Sequence, residues 1–217
     1  IYIEVVLTVF MFLFSINFNL FYLILLKRAA DAFKDEEFRI YLIILAISLT
    51  AITASIFPLY GTFATAFRYS SFQVASIVST TGFSTADFSK WPALAQTVLW
   101  FLMFLGGCAG STAGGLKCSR FLILVKSVRR ELRRLSRPNS VSVVRLSGET
   151  LDEETVSGAT MYFITYVCIF LCGLLLLSLN GLDFETTFSS VLTCISNVGP
   201  GFGSIVGPTG SFATLSW

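Results

Sequence analysis

Four stretches without a charged side chain dominate the pattern along the chain: 22 residues from Val5 to Leu26, 28 from Ile40 to Phe67, 26 from Trp91 to Leu116 and 28 from Thr155 to Leu182. Each exceeds the roughly 20 residues with which a helix crosses about 30 Å of hydrocarbon, so each is expected to be a membrane span. A fifth uncharged run of 32 residues, Thr186 to Trp217, carries Gly199, Pro200, Gly201, Gly203, Gly207, Pro208 and Gly210. That is poor material for a continuous helix. Tyr69 to Val78 and Phe184 to Ile195 fit short helices, each leading into a glycine-containing turn. At 1.5 Å per residue such helices reach about halfway through a bilayer.

Composition agrees with this pattern. Of 217 residues 54% are hydrophobic and 13% charged, with mean hydropathy +0.78, whereas soluble domains carry about 25% charged residues. Ile1 is not an initiator methionine, and the first run lacks a basic leader and a small-residue cleavage site. It is expected to be a span rather than a signal peptide, in a chain cut at both ends. There is no histidine, which removes His-dependent triads, HExxH zinc sites and His proton relays. The central parts of the spans hold no charged residue either, so an intramembrane enzyme is not expected, and no cofactor is implied. Cys108, Cys118, Cys168, Cys172 and Cys194 show no metal-type spacing and read as buried small hydrophobes.

Charge orients the spans, because positive loops resist translocation. Lys117 to Arg145 holds nine basic residues against one acid, and Lys27 to Arg39 holds four basic residues. Arg68 to Lys90 has two, and the chain after Leu182 has none. Loops 27–39 and 117–154 are therefore expected in the cytoplasm, with 68–92 and 183–217 outside. The outer segments are apolar, so part of each is expected to dip back into the membrane.

Shifting the sequence by 117 residues places Asp35, Glu36 and Glu37 on Asp152, Glu153 and Glu154. The same shift puts Phe67 on Phe184, Val74 on Val191, Ser79 on Ser196 and Gly82 on Gly199. The repeated unit reads as span, short helix, glycine turn, second span. Both copies run in the same direction, which suits a pseudo-fourfold pore. The alternative is a secondary carrier, a cation-coupled symporter with a broken-helix solute site, whose repeats are often inverted. The turns read as ordinary external loops or as filter strands. In the second case each short helix points its negative end at the membrane centre, and turn carbonyls replace a cation's hydration shell.

Gly106 to Gly115 holds five glycines in ten residues, costing a continuous helix about 5 kcal/mol relative to alanine. This segment reads either as a break or as close helix packing through overlapping GxxxG steps. Beyond it, Lys126, Arg129, Arg130, Arg133 and Arg134 lie among apolar residues on a helix leaving the membrane. That helix suits anionic lipid or a soluble partner. No nucleic-acid partner is expected. Pro138, Asn139 and Ser140 open a polar linker.

The motifs STTGFSTADFSKWP (Ser79 to Pro92), GGCAGSTAGGLKCSRF (Gly106 to Phe121) and SNVGPGFG (Ser196 to Gly203), in this order, resemble the TrkH/KtrB family of potassium uptake proteins. The resemblance implies an all-α membrane protein of four membrane-pore-membrane repeats, with re-entrant pore helices and extended filter loops. Residues 1–26 would be the last helix of the second repeat, 27–39 a cytoplasmic loop and 40–137 the third repeat. A linker would follow over 138–154, and 155–217 would be a fourth repeat lacking its last helix. Four units of about 117 residues would make a parent of roughly 470. Thr80, Thr81, Gly82 and Phe83 would line one quarter of the filter, and Asn197, Val198, Gly199 and Pro200 another. Glycine at its centre, where serine accompanies sodium permeation in the family, implies potassium. Gly106, Gly107, Gly110, Ser111, Thr112, Gly114, Gly115 and Lys117 would belong to an intramembrane gating loop. The resemblance also implies a homodimer in the bacterial inner membrane, multi-pass, and a cytosolic ring of nucleotide-binding TrkA/KtrA-like subunits docking on the basic helix.

Overall fold

A computed structural model describes residues 1–137, 143–203 and 205–214. The linker opening at Pro138, Asn139 and Ser140 lies outside the described residues. The fold is all-α, apart from a small hairpin that pairs β1 (Arg145–Leu146) with β2 (Glu149–Thr150).

Two long apolar helices, α4 (Glu36–Tyr60) and α8 (Glu153–Ser178), are each sufficient in length and hydropathy to cross a membrane. Asp35 starts α4 by accepting the Phe38 N–H at 2.8 Å, with Glu36 and Glu37 in the positive first turn. Gly61 ends it in the left-handed conformation. Asp152 occupies the corresponding place before α8. Each long helix is followed by a shorter one packed against it: α5 (Phe63–Val78) on α4 and α9 (Phe184–Ser196) on α8.

The short helices are the buried ones. Every residue of α5 from Phe72 to Val78 is buried, and α9 buries Thr186, Thr187, Ser189, Ser190, Leu192, Thr193 and Ser196. The long helices instead turn Ile43, Ile47, Leu171, Leu175 and Leu176 outward. So much exposed aliphatic surface is untenable in water and suits lipid. Several buried hydroxyls on the short helices bond within the protein, as where Thr53 Oγ1 and Ser70 Oγ meet at 2.6 Å.

Two uncharged runs differ from the single spans expected. Val5 to Leu26 divides into α1 (Tyr2–Phe14) and α2 (Phe18–Leu25), bent by 95°. Asn17 makes the break by capping α2, its side chain accepting the Asn19 N–H at 2.9 Å. A four-residue α3 (Ala29–Ala32) follows. Trp91 to Leu116 forms α6 (Ala93–Phe104) and then a non-helical segment before α7 (Cys118–Ser136). Of the cysteines read as buried, only Cys108 and Cys118 are; Cys168, Cys172 and Cys194 are exposed. Cys168 and Cys172 lie on the outward side of α8, where an apolar residue needs no protein partner.

Candidate functional site: two glycine turns above a broken helix

The ends of α5 and α9 are built alike. The N–H of Thr81 donates to Ser76 O at 3.0 Å, and 117 residues later the N–H of Val198 donates to Thr193 O at 2.9 Å. Thr80 and Asn197 both adopt the left-handed conformation, at φ +54° and +58°, and Gly82 and Gly199 both have positive φ, +80° and +112°. This is a helix-ending motif with a left-handed residue after the last turn. Threonine carries conformational strain there that asparagine tolerates better. The repeat seen in scattered identities is therefore a repeat of backbone conformation.

The two turns touch. A Cβ placed on Gly82 would overlap Val198 O and lie 3.2 Å from Pro200 Cδ; one placed on Gly199 would lie 3.4 Å from Gly82 Cα. Glycine is thus required at Gly82 both for its backbone angle and for the approach of the second turn. Among the described residues, no protein hydrogen bond uses the carbonyl oxygens of Thr80, Thr81, Gly82, Asn197, Val198 or Gly199. Phe83 O is different, because Ser76 Oγ donates to it at 2.6 Å. Thr81, Asn197 and Gly199 are exposed and Thr80 and Gly82 half-buried, so carbonyl oxygens at these turns are open to water or to a ligand.

Side chains behind the turns hold them in place. Thr193 Oγ1 accepts the Gly199 N–H at 2.8 Å, and Ser189 Oγ donates to Phe202 O at 2.8 Å. The Phe202 ring is fully buried between Phe88, edge-on at 4.9 Å, and Trp100, stacked at 5.0 Å. Tyr166 Oη and Ser196 Oγ meet at 2.7 Å, linking the end of α9 to α8.

Between α6 and α7 the chain is broken by the glycine-rich segment, and tertiary bonds replace the helical ladder. The N–H of Gly106 donates to Leu116 O at 2.9 Å, closing the segment on itself. A Cβ on Gly106 would overlap Gly114 O, which resolves the open choice in favour of a break. The segment is stitched to the α1–α2 bend: Cys108 N–H to Ser15 O at 2.9 Å, Thr112 N–H to Phe14 O at 3.3 Å, and Phe18 N–H to Gly110 O at 3.2 Å. Gly114 touches both turns, its N–H donating to Thr80 Oγ1 at 2.8 Å and its Cα so close to Ser196 that an added Cβ would stand 2.6 Å from Ser196 O. The Lys117 ammonium folds back on the segment, donating to Ser111 O at 3.2 Å and to Ala113 O. Gly107 and Ala113 are buried, whereas Gly115 is half-buried with φ +67°.

The basic helix is partly committed within the protein. Lys126 pairs with Glu36 at 2.5 Å and Arg130 with Glu153 at 2.5 Å. One turn of α7 thus grips the repeat-equivalent acids that open α4 and α8, so α7 and the starts of α4 and α8 share one end of the molecule. Arg129 and Arg133 stay exposed and Arg134 lies 3.3 Å from Glu131. Glu37, the α1–α2 bend, Ser76 and Thr193, and the Trp100–Phe202 stack were not foreseen. Ser76 and Thr193 stand 117 residues apart, so the repeat carried a signal for that pair.

Fold and site together define a helical membrane protein in which a duplicated unit presents two glycine turns above a broken helix. The chain belongs to the TrkH family of cation transport proteins, whose sequence model matches residues 1–217. It is 32% identical to the Trk system potassium uptake protein TrkH of Salmonella typhimurium over 209 residues, 94% of this chain and 43% of that protein. It is 36% identical to the potassium uptake protein TrkI of Halomonas elongata over 183 residues, 84% of this chain and 37% of that one. The crystal structure of the potassium transporter TrkH from Vibrio parahaemolyticus superposes with TM-score 0.85 at 32% identity, covering 93% of this chain and 44% of that one. The chain spans less than half the length of these relatives. They are transport proteins rather than enzymes, in line with the sequence reading.

Proposed function

We propose that the protein containing this chain takes up potassium through a pore whose filter includes Thr80–Phe83 and Asn197–Pro200. The observation that carries this reading is the pair of abutting turns, with matched backbone angles and carbonyl oxygens that, among the described residues, no protein donor engages. Such oxygens substitute for the water around a monovalent cation. The carboxyl ends of α5 and α9, each equivalent to about half a negative charge, favour a cation at the same place. The potassium uptake names of the relatives support the choice of ion.

In this reading residues 40–137 are the third membrane-pore-membrane repeat and 155–217 most of the fourth, with 1–26 closing the second. The segment Gly106–Lys117 is the gate, directly beneath both turns and held there by hydrogen bonds that a shift of a few ångströms would exchange for water. The shared end bearing α7 faces the cytoplasm of a bacterial cell, next to anionic lipid. Arg129 and Arg133, with exposed Val128 and Leu132 beside them, receive a nucleotide-binding regulatory ring, and two copies of the protein form the dimer.

Reconstitution of the full-length protein in liposomes tests this. Rubidium influx is expected to be inhibited by external potassium and far less by sodium. Equal inhibition by the two ions would reject a potassium filter. Deleting Gly110 to Gly114 is expected to raise flux; unchanged or lower flux in protein that reaches the membrane would reject the gate.

A further inference from the structure

Glu37 is the one acid of the two repeated trios that is buried. It is 6% exposed at the start of a lipid-facing helix. Its Oε1 accepts two backbone hydrogen bonds at 2.7 Å each, from the N–H of Ala109 and the N–H of Ser119. Ala109 lies within the non-helical segment and Ser119 just beyond its end. Ser119 lies in the first turn of α7, whose N–H groups are free of helical partners and attract negative charge. Its neighbour Glu36 holds Lys126 further along α7. By contrast the repeat-equivalent Glu154 is exposed, and no hydrogen bond or ion pair engages it among the described residues. The fold of the repeat therefore does not itself require an engaged carboxylate at this position.

We propose that Glu37 is a positioning residue that latches the gating segment closed by tying Ala109, within the segment, and Ser119, at the start of α7, to one carboxylate oxygen. The proposal rests on reading Gly106–Lys117 as the gate. Bonds from amides to an ionised carboxylate are stronger than those between neutral groups. Moving the segment away from α4 breaks the Ala109 bond and leaves a buried carboxylate short of a donor, which is unfavourable. Glu37 thus biases the equilibrium toward the arrangement described, without touching the permeant ion.

The test uses the full-length protein in liposomes, with rubidium flux, the rubidium-to-sodium permeability ratio and maleimide labelling of Cys108, located by peptide mapping because Cys168, Cys172 and Cys194 are exposed, as readouts. Cys108 is 1% exposed and adjoins Ala109, so releasing the segment exposes its thiol. Glu37→Ala is expected to raise resting flux about tenfold or more and to speed Cys108 labelling, with the permeability ratio unchanged. Glu37→Gln, whose amide oxygen still accepts hydrogen bonds, is expected to give an intermediate flux, and Glu154→Ala none of these changes. A merely structural role would lower flux and recovery together, and Glu37→Gln carries the test should the alanine variant not fold. Flux and labelling at parent level in both Glu37 variants would overturn the proposal. If deleting Gly110 to Gly114 still raises flux in that case, the gate stands and only the latch is lost; if the deletion fails as well, both are lost.

Discussion

Replacing Gly82 with serine places two separate strains on one atom. At φ +80° an L side chain costs about 1–2 kcal/mol of backbone energy. The new Cβ would also overlap Val198 O, and restoring an ordinary carbon-to-oxygen contact moves that oxygen by on the order of 1 Å. Potassium and sodium differ in the oxygen spacing that suits them, so a displacement of this size falls on selectivity. A change of about 1.4 kcal/mol in the relative fit of the two ions is tenfold in their permeability ratio, and a loss of that order is expected. Gly61 and Gly181 provide the control: both have positive φ, +67° and +69°, with nothing within 4 Å of an added Cβ. Gly61→Ala and Gly181→Ala carry the backbone strain without disturbing a turn and should leave the ratio intact. Gly199→Ala, where the nearest atom is Gly82 Cα at 3.4 Å, should act more mildly than Gly82→Ser. Reversal potentials under bi-ionic potassium and sodium gradients give the ratio directly. An unchanged ratio in Gly82→Ser would refute the reasoning, as would an equal loss in Gly61→Ala.

Thr80→Val keeps the shape of the side chain and removes the hydroxyl that accepts the Gly114 N–H. It should weaken the closed arrangement by about 1–2 kcal/mol and raise resting rubidium flux, with Thr80→Ser close to the parent. Phe202→Ala empties the space between Phe88 and Trp100, and thermal melts in detergent should show a loss of about 3–5 kcal/mol. A double-mutant cycle of Lys126→Ala with Glu36→Ala should give a coupling of about 0.5–1 kcal/mol, since both groups are roughly a quarter exposed; a coupling near zero would remove that pair from the attachment of α7.

Much of this arrangement was legible in the chain because it is written in local chemistry. The lengths of the uncharged runs fixed α4 and α8. The acid trios marked where they begin, and the 117-residue shift placed Gly82 on Gly199, which share a backbone conformation. The glycine density of Gly106–Gly115 announced a possible break. The bend after Phe14 escaped because Val5 to Leu26 is apolar enough for one span, and only tertiary partners for Phe14 O and Ser15 O make the break favourable. Glu37 escaped for a related reason. An acid in a first helical turn already has a sufficient local explanation in the helix dipole, and its distant amide partners become visible only in the folded chain. Lys126 and Arg130 read as surface charge, yet both reach acids brought near by packing.

The central claim is that the two glycine turns together offer main-chain oxygens to a dehydrated monovalent cation. Crystals of the full-length protein grown in a thallium salt test it most directly, through the anomalous signal of an ion that replaces potassium. The account predicts density within coordination distance of the carbonyl oxygens at Gly82 and Gly199. Thallium bound only elsewhere, with those oxygens facing protein or lipid, would contradict it.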